Sequence, residues 1–182
     1  MGCDIHLAIE YFDETLSSKP GGGLWECLVS PDHHHVWRDY ALFGVLAGVR
    51  MEETKPVAPP RGIPKDASSD ILGSYLIRVA EDDNDKSEGA CTKEQAELYL
   101  KYGSTWWDTE GTRCRRITHP DWHTPSWLTT DEAAQAASRL RKGEAISGLP
   151  ARPNRQFEML VDVMRACEKN ERRVRMVFWF DN

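Results

Sequence analysis

Hydrophobic and polar positions alternate from the first residues of the chain. In MGCDIHLAIEYF, Cys3, Ile5, Leu7, Ile9 and Tyr11 fall on one side of an extended backbone, with Asp4, His6 and Glu10 on the other. A period of two predicts a strand with one face buried. The closing RRVRMVFWFDN has the same pattern: Val174, Met176, Phe178 and Phe180 oppose Arg173, Arg175, Val177, Trp179 and Asp181. A strand this apolar invites aggregation if left at an edge. It is therefore expected at the centre of a sheet, with the first strand as its neighbour. On that pairing Asp4, His6 and Glu10 share a surface with Arg175, Trp179 and Asp181. One reading is a solvated face on which Asp4 and Arg175 form a cross-strand pair worth under about 1 kcal/mol. The other starts from the cost of leaving Trp179 in water: the face is covered, and a covered polar face walls a pocket.

Between these strands the pattern predicts a mixture of elements. DETLSSKPGGG (13–23) is a turn-rich loop, and LWECLV (24–29) is a strand returning to make a long-looped hairpin. RDYALFGVLAGVR (38–50) spaces Leu42, Phe43, Val45, Leu46 and Val49 as a helix, with Asp39 as N-cap and Gly44 and Gly48 allowing close packing. The prolines of KPVAPPRGIPKDASS (55–69) exclude a helix there. SDILGSYLIRVAE (69–81) is amphipathic and predicts a helix burying Ile71, Leu72, Tyr75, Leu76 and Val79. An acidic connector (81–89) follows, then a capping box at Thr92 and Gln95 that starts a helix reaching Tyr99. Residues 103–128 read as irregular. Thr129 and Glu132 form a second capping box, opening TDEAAQAASRLRK, which stops at Gly143. SGLPARP (147–153) links to a last helix with the stripe Phe157, Leu160, Val161, Met164 and Cys167. The class is α+β: a small, mostly antiparallel sheet that includes both terminal strands, packed against helices, with long irregular loops.

Composition narrows the possible functions. A chain of 182 residues is expected to form a single domain over 1–182 with a real core. A net charge of −6 argues against a duplex nucleic-acid surface, which needs many cations against phosphate. A small anion held by a few arginines is not excluded. The scattered cysteines Cys3, Cys27, Cys91, Cys114 and Cys167 include no C-x-x-C pair, so reduced thiols in a cytosolic protein fit best. No apolar run suits a membrane span and no secretory leader is recognisable. His6 stands where N-myristoylation expects Ser or Thr.

Candidate chemistry divides into three kinds. Asp4-x-His6 puts two metal ligands on one side of a strand, and Asp181 or His33, His34 and His35 supply a third. Cys114, His119 and His123 have no zinc spacing. Nucleophilic catalysis is poorly supported: Ser126 lies near His123, but without a nucleophile elbow. Paired H-x-[ST] elements are absent, and Gly21–Gly23 is not followed by the Lys-Ser/Thr of a phosphate loop. Anion binding is better founded. The helix opening at Thr129 offers free N–H groups just after Ser126 and Trp127, and a proline-stiffened loop presents Arg61. Arg38, Arg50, Arg113, Arg115 and Arg116 are further cations. Aromatic rings with arginines are what a nucleotide requires, a plane for the base and forks for the phosphates.

Together these blocks resemble a set of small, largely uncharacterised bacteriophage proteins. Those proteins begin MGCDIH, carry R-x-Y-x-L-F-x-x-L-A-x-V-R, P-R-G-[LI]-P-x-D-x-S and H-x-x-S-W-L-T, and end V-R-x-V-F-W-F-D-N. The blocks stand here as MGCDIH (1–6), RDYALFGVLAGVR (38–50), PRGIPKDAS (60–68), HTPSWLT (123–129) and VRMVFWFDN (174–182). Residues 81–122 lie outside them and read as a variable insertion, and His33–His35 lie outside them as well. The resemblance implies an accessory protein acting in the cytoplasm of an infected bacterial host. By analogy with phage proteins that defeat host immunity, it implies a homo-oligomer sequestering a cyclic ADP-ribose-type signal or a cyclic dinucleotide, with no cofactor and no membrane partner. The pocket expected for that ligand combines Asp4, His6, Arg175 and Trp179 from the terminal strands with Arg61, His123, Ser126 and Trp127. Tyr40 and Arg50 line its wall. The alternatives are a phosphodiesterase or nuclease with a divalent metal on Asp4, His6 and Asp181, and a direct inhibitor of a host immune protein.

Overall fold

Strand β1 (Asp4–Asp13) lies antiparallel to both the returning strand β2 (Leu24–Asp32) and the last strand β8 (Val174–Asp181). The computed structural model describes residues 2–16, 22–32, 35–51, 53–79, 90–91, 106–108, 115–118, 122–143, 152–170 and 172–181. In chain order the remaining elements are α1 (Tyr40–Ala47), α2 (Ser69–Tyr75), β3 (Leu76–Val79), β4 (Ala90–Cys91), β5 (Trp106–Asp108), β6 (Arg115–Thr118), β7 (His123–Leu128), α3 (Thr130–Lys142) and α4 (Arg155–Lys169). The main sheet runs β2-β1-β8-β7, so both terminal strands are interior and the class is α+β as expected.

The register follows the alternation. Asp4 faces Asp181, His6 faces Trp179 and Glu10 faces Arg175, while Ile5, Leu7 and Ile9 face Phe180, Phe178 and Met176. The apolar set forms one core with Leu42, Phe43, Val45 and Leu46 of α1, Ala133, Ala136, Ala137 and Leu140 of α3, and Phe157, Val161 and Met164 of α4. Phe43 packs edge-on against Phe180 at 5.2 Å, and Phe178 against Phe180 at 5.8 Å. The opposite face is covered too, since Ala8, Glu10, Val177 and Trp179 have no exposure.

Helix ends follow local chemistry. The Asp39 carboxylate accepts from the N–H groups of Ala41 and Leu42, and Thr129 with Glu132 makes the expected capping box. The first helix stops at Ala47, short of the expected Arg50, because Gly48 takes a left-handed conformation at φ 72° and closes the C-cap. Gly44 serves close packing, since a Cβ there would lie 2.6 Å from Met51 Cβ.

Two expectations are corrected. The helix predicted over 69–81 ends at Tyr75, and Leu76–Val79 becomes β3 instead, pairing antiparallel with β6 and parallel with β4. A short apolar run fits either period, and ladder partners decide it. Residues 103–128, read as irregular, contain β5, β6 and β7. The second sheet has the order β4-β3-β6-β5. The chain separates into two compact units, Met1–Ile71 with Thr124–Asn182, and Leu72–His123. The helix expected after Thr92 and the connector 81–89 lie outside the described residues. No helix among the described residues is long and apolar enough to cross a membrane.

Phe180→Ala removes a fully buried ring from the centre of the core, and truncations of this kind cost about 3–5 kcal/mol. The expected outcome is a matching fall in unfolding free energy, read from a urea titration followed by tryptophan fluorescence.

Candidate functional site

The residues expected to form one pocket divide into separate clusters, each held by contacts within the protein. At the end of the central pair, Asp4 accepts a two-point contact from Arg38, at 2.8 Å from Nε and 2.5 Å from Nη2. The Asp4–Arg175 pair of the solvated-face reading does not form, because the register puts Arg175 opposite Glu10. Gly2 makes the Arg38 contact possible: a Cβ at that position would collide with the Arg38 guanidinium. Asp181 accepts from the Asp4 N–H at 3.0 Å through Oδ1 and meets His6 Nε2 at 3.0 Å through Oδ2. His6 stacks on the buried Trp179 ring at 5.4 Å. The alternative metal set Asp4, His6 and Asp181 is thus close together, but its carboxylates already accept from protein donors. No grouping of three or more His, Cys, Asp or Glu suited to a metal ion occurs among the described residues. His35 Nε2 meets the Ser30 carbonyl at 2.7 Å, while His33 and His34 lie outside the described residues.

The second cluster is buried. Arg175 Nε donates to the Glu10 carboxylate, whose other oxygen accepts from the Ser68 N–H at 2.9 Å. Arg175 Nη1 donates to Asp66 at 2.9 Å, Trp25 Nε1 donates to the same carboxylate at 3.0 Å, and the guanidinium lies 3.7 Å from the Trp25 ring centre. Burial works against the Asp66 charge, yet the Arg175 contacts and the Trp25 hydrogen bond leave its pKa below the usual carboxylate range. These contacts fasten the loop after Pro64 to the sheet. They leave Arg175, expected among the ligand-binding residues, paired with Glu10 and Asp66. Arg175 shares the face of His6 but lies four positions along the strand from Trp179, about 13 Å at 3.3 Å per residue.

The third cluster surrounds the start of α3. Arg61 forms a double contact with Glu132, donates to the Trp127 carbonyl at 3.2 Å and lies 4.5 Å from the Trp127 ring centre. Buried Ser126 accepts from the Arg61 N–H at 3.1 Å through Oγ, and the Gly62 N–H donates to the Pro125 carbonyl at 3.0 Å. The expected phosphate position, an arginine beside a helix N-terminus, is filled here by the chain's own Glu132. Arg61 holds the Glu132 carboxyl below its usual range, outweighing burial, with help from Thr129. Arg50 sits after α1 at φ 61°; burial pushes the Cys3 thiol up, with the nearby Arg50 working against it. His123 opens β7 and belongs to the second unit.

A groove forms elsewhere in the first unit, where α1 and α4 begin side by side. Its volume is about 840 Å³, and Trp37, Arg38, Tyr40, Arg152, Arg155 and Gln156 are among its lining residues. The two helix starts are joined by Asn154 Nδ2 donating to Asp39 at 3.0 Å, and the Trp37 N–H donates to Gln156 Oε1 at 3.4 Å. Trp37 is 66% exposed and Tyr40 39% exposed. Arg152 and Arg155 are exposed and have no ion pair among the described residues. Asn154 caps α4 by accepting from the Phe157 N–H. The N–H groups of Arg155 and Gln156 then have no partner within the helix. Tyr40 is the one expected ligand residue that lines this groove, and Arg38 was among the further cations. Trp37, Arg152, Arg155 and Gln156 were not anticipated. Their local signal was faint: arginines flanking Pro153 and Asn154 just before an amphipathic helix.

No family model, curated protein or solved structure matches the chain.

The Arg61–Glu132 contact predicts a pH dependence. A carboxyl group with a lowered folded pKa stabilises the protein fully above its unfolded pKa, and that contribution is lost as pH falls through the folded value. Stability should therefore fall on acidification more steeply in the wild type than in Glu132→Gln, with the difference confined to pH values below the ordinary glutamate range. Urea midpoints measured across that range test this.

Proposed function

We propose that the chain is a non-catalytic binding protein that sequesters a small nucleotide-derived signal, of the cyclic ADP-ribose or cyclic dinucleotide class, in the groove where α1 and α4 begin. In the setting implied by the resemblance, this activity is counter-defence by a phage in its bacterial host. The observation that carries the reading is a single groove joining exposed Trp37 and Tyr40 to Arg152 and Arg155, which have no counter-charge among the described residues. Its size falls within the roughly 300–1,000 Å³ of ordinary ligand pockets.

The division of labour follows from chemistry. Exposed aromatic rings gain about 1–3 kcal/mol from each base that stacks on them. Arg152 and Arg155 meet phosphate as planar forks, and the first N–H groups of α4 add donors on the same side. The chain's overall charge of −6 does not oppose this, because charges beyond about 10 Å are largely screened at moderate salt. A binding role also accords with the state of Asp39, the carboxylate of the lining, which is engaged as the cap of α1 and by Asn154 Nδ2.

Purified protein incubated with a nucleotide panel, washed, heated and analysed by mass spectrometry should release one intact nucleotide. Trp37→Ala and the double variant Arg152→Glu/Arg155→Glu should each retain at least tenfold less. New products formed only with Mg²⁺ or Mn²⁺ would favour the phosphodiesterase. Capture of a host protein with no nucleotide retained would favour the direct inhibitor.

A further inference from the structure

Resting on the groove as the ligand site, we propose that Arg38 reads the base, and that the ligand is a guanine nucleotide, with a guanine-containing cyclic dinucleotide as the favoured class. Arg38 lines the groove between the two aromatic residues of its own segment, Trp37 and Tyr40. Its position is set from behind. Asp4 accepts from Nε and Nη2, and Gly2 packs closely against the guanidinium, nearest to Nη1. A guanidinium has five N–H groups, so a two-point contact through Nε and Nη2 leaves three, including a parallel pair on the Nη1–Nη2 edge. No partner for that edge occurs among the described residues, and the Arg38 side chain is 48% exposed.

A fork held in this way suits two adjacent acceptors in one plane. Guanine presents O6 and N7 in that arrangement, whereas adenine offers N7 beside an amino group that would face the arginine donor to donor. Asp4 therefore does two things for Arg38. It fixes the plane of the fork, and it offsets the positive charge, so that Arg38 suits a neutral base edge better than a phosphate. The phosphates are left to Arg152 and Arg155, which have no such counter-charge among the described residues.

Equilibrium binding of GMP and AMP, and of cyclic di-GMP and cyclic di-AMP, tests the proposal by calorimetry on the full chain. The wild type should prefer each guanine ligand by about tenfold, a modest share of what a good two-point base contact supplies. Arg38→Lys keeps the charge and loses the fork, so it should bring the two members of each pair within about twofold. Asp4→Asn should weaken the preference while leaving adenine ligands nearly unaffected. Near-ultraviolet circular dichroism identifies any variant that has lost its fold, and the wild-type comparison stands without the variants. Equal affinity for guanine and adenine, with binding still lost in Trp37→Ala, overturns the base assignment and leaves the groove as the ligand site. A guanine preference that survives Arg38→Lys overturns the role of Arg38. Failure of all four probes to bind overturns the guanine assignment, and the groove itself is then overturned only if no nucleotide of the wider panel is retained in a manner lost in Trp37→Ala.

Discussion

The pairing of β1 with β8 in one register is the constraint from which the rest of the first unit follows. Side chains alternate along both strands, so a slip by one residue would carry Ile5, Leu7 and Ile9 away from the helices and put Asp4, His6 and Glu10 among them. Held in register, the two strands supply the apolar floor on which α1, α3 and α4 pack. The same register brings Asp4 to Asp181 and Glu10 to Arg175. With Asp4 in place, Arg38 is anchored just ahead of α1, at the wall of the groove. The groove's chemistry thus depends on a backbone ladder that does not itself line it.

Internal pairing separates architecture from capacity to bind. Arg61 and Arg175 look like ligand arginines in the sequence, but each has found a carboxylate of the chain, and each also lies against a tryptophan. Such contacts fasten loops to the sheet and to the start of α3. An incoming phosphate would have to displace an ionised side chain already held by two hydrogen bonds. Arg152 and Arg155 face no such competitor among the described residues. The difference between the two pairs of arginines lies in their neighbours, which spacing along the chain does not reveal.

What could be read in advance was what local rules govern. Alternation at both ends predicted two central strands and named the residues sharing each face, and the caps at Asp39 and Thr129 rest on side chains one turn or less away. The shortening of the helix after Ser69 was not legible, because Leu76–Val79 fits either period and its ladder partners lie far along the chain. The groove escaped notice for a similar reason. Trp37 and Gln156, or Asp39 and Asn154, meet only after the sheet and α4 have assembled, and no short pattern marks either partner. Glu132 was recognised as half of a capping box. That its carboxylate also neutralises Arg61 depends on where the proline-rich loop lands.

The placement of β1 and β8 also bears on how the molecule is made. His6 and Asp181 are 175 positions apart yet adjacent in the finished sheet. A ribosome adding about 5–20 residues per second leaves the first strand waiting roughly ten seconds or more for its central partner. Throughout that interval the nascent chain carries Ile5, Leu7 and Ile9 on a strand whose inner edge has nothing to pair with. Folding dominated by so distant a contact is slow even after release, since loop closure must be achieved before the ladder rewards it. Pairing β1 with so distant a strand thus leaves its apolar side chains without their sheet partner for much of synthesis.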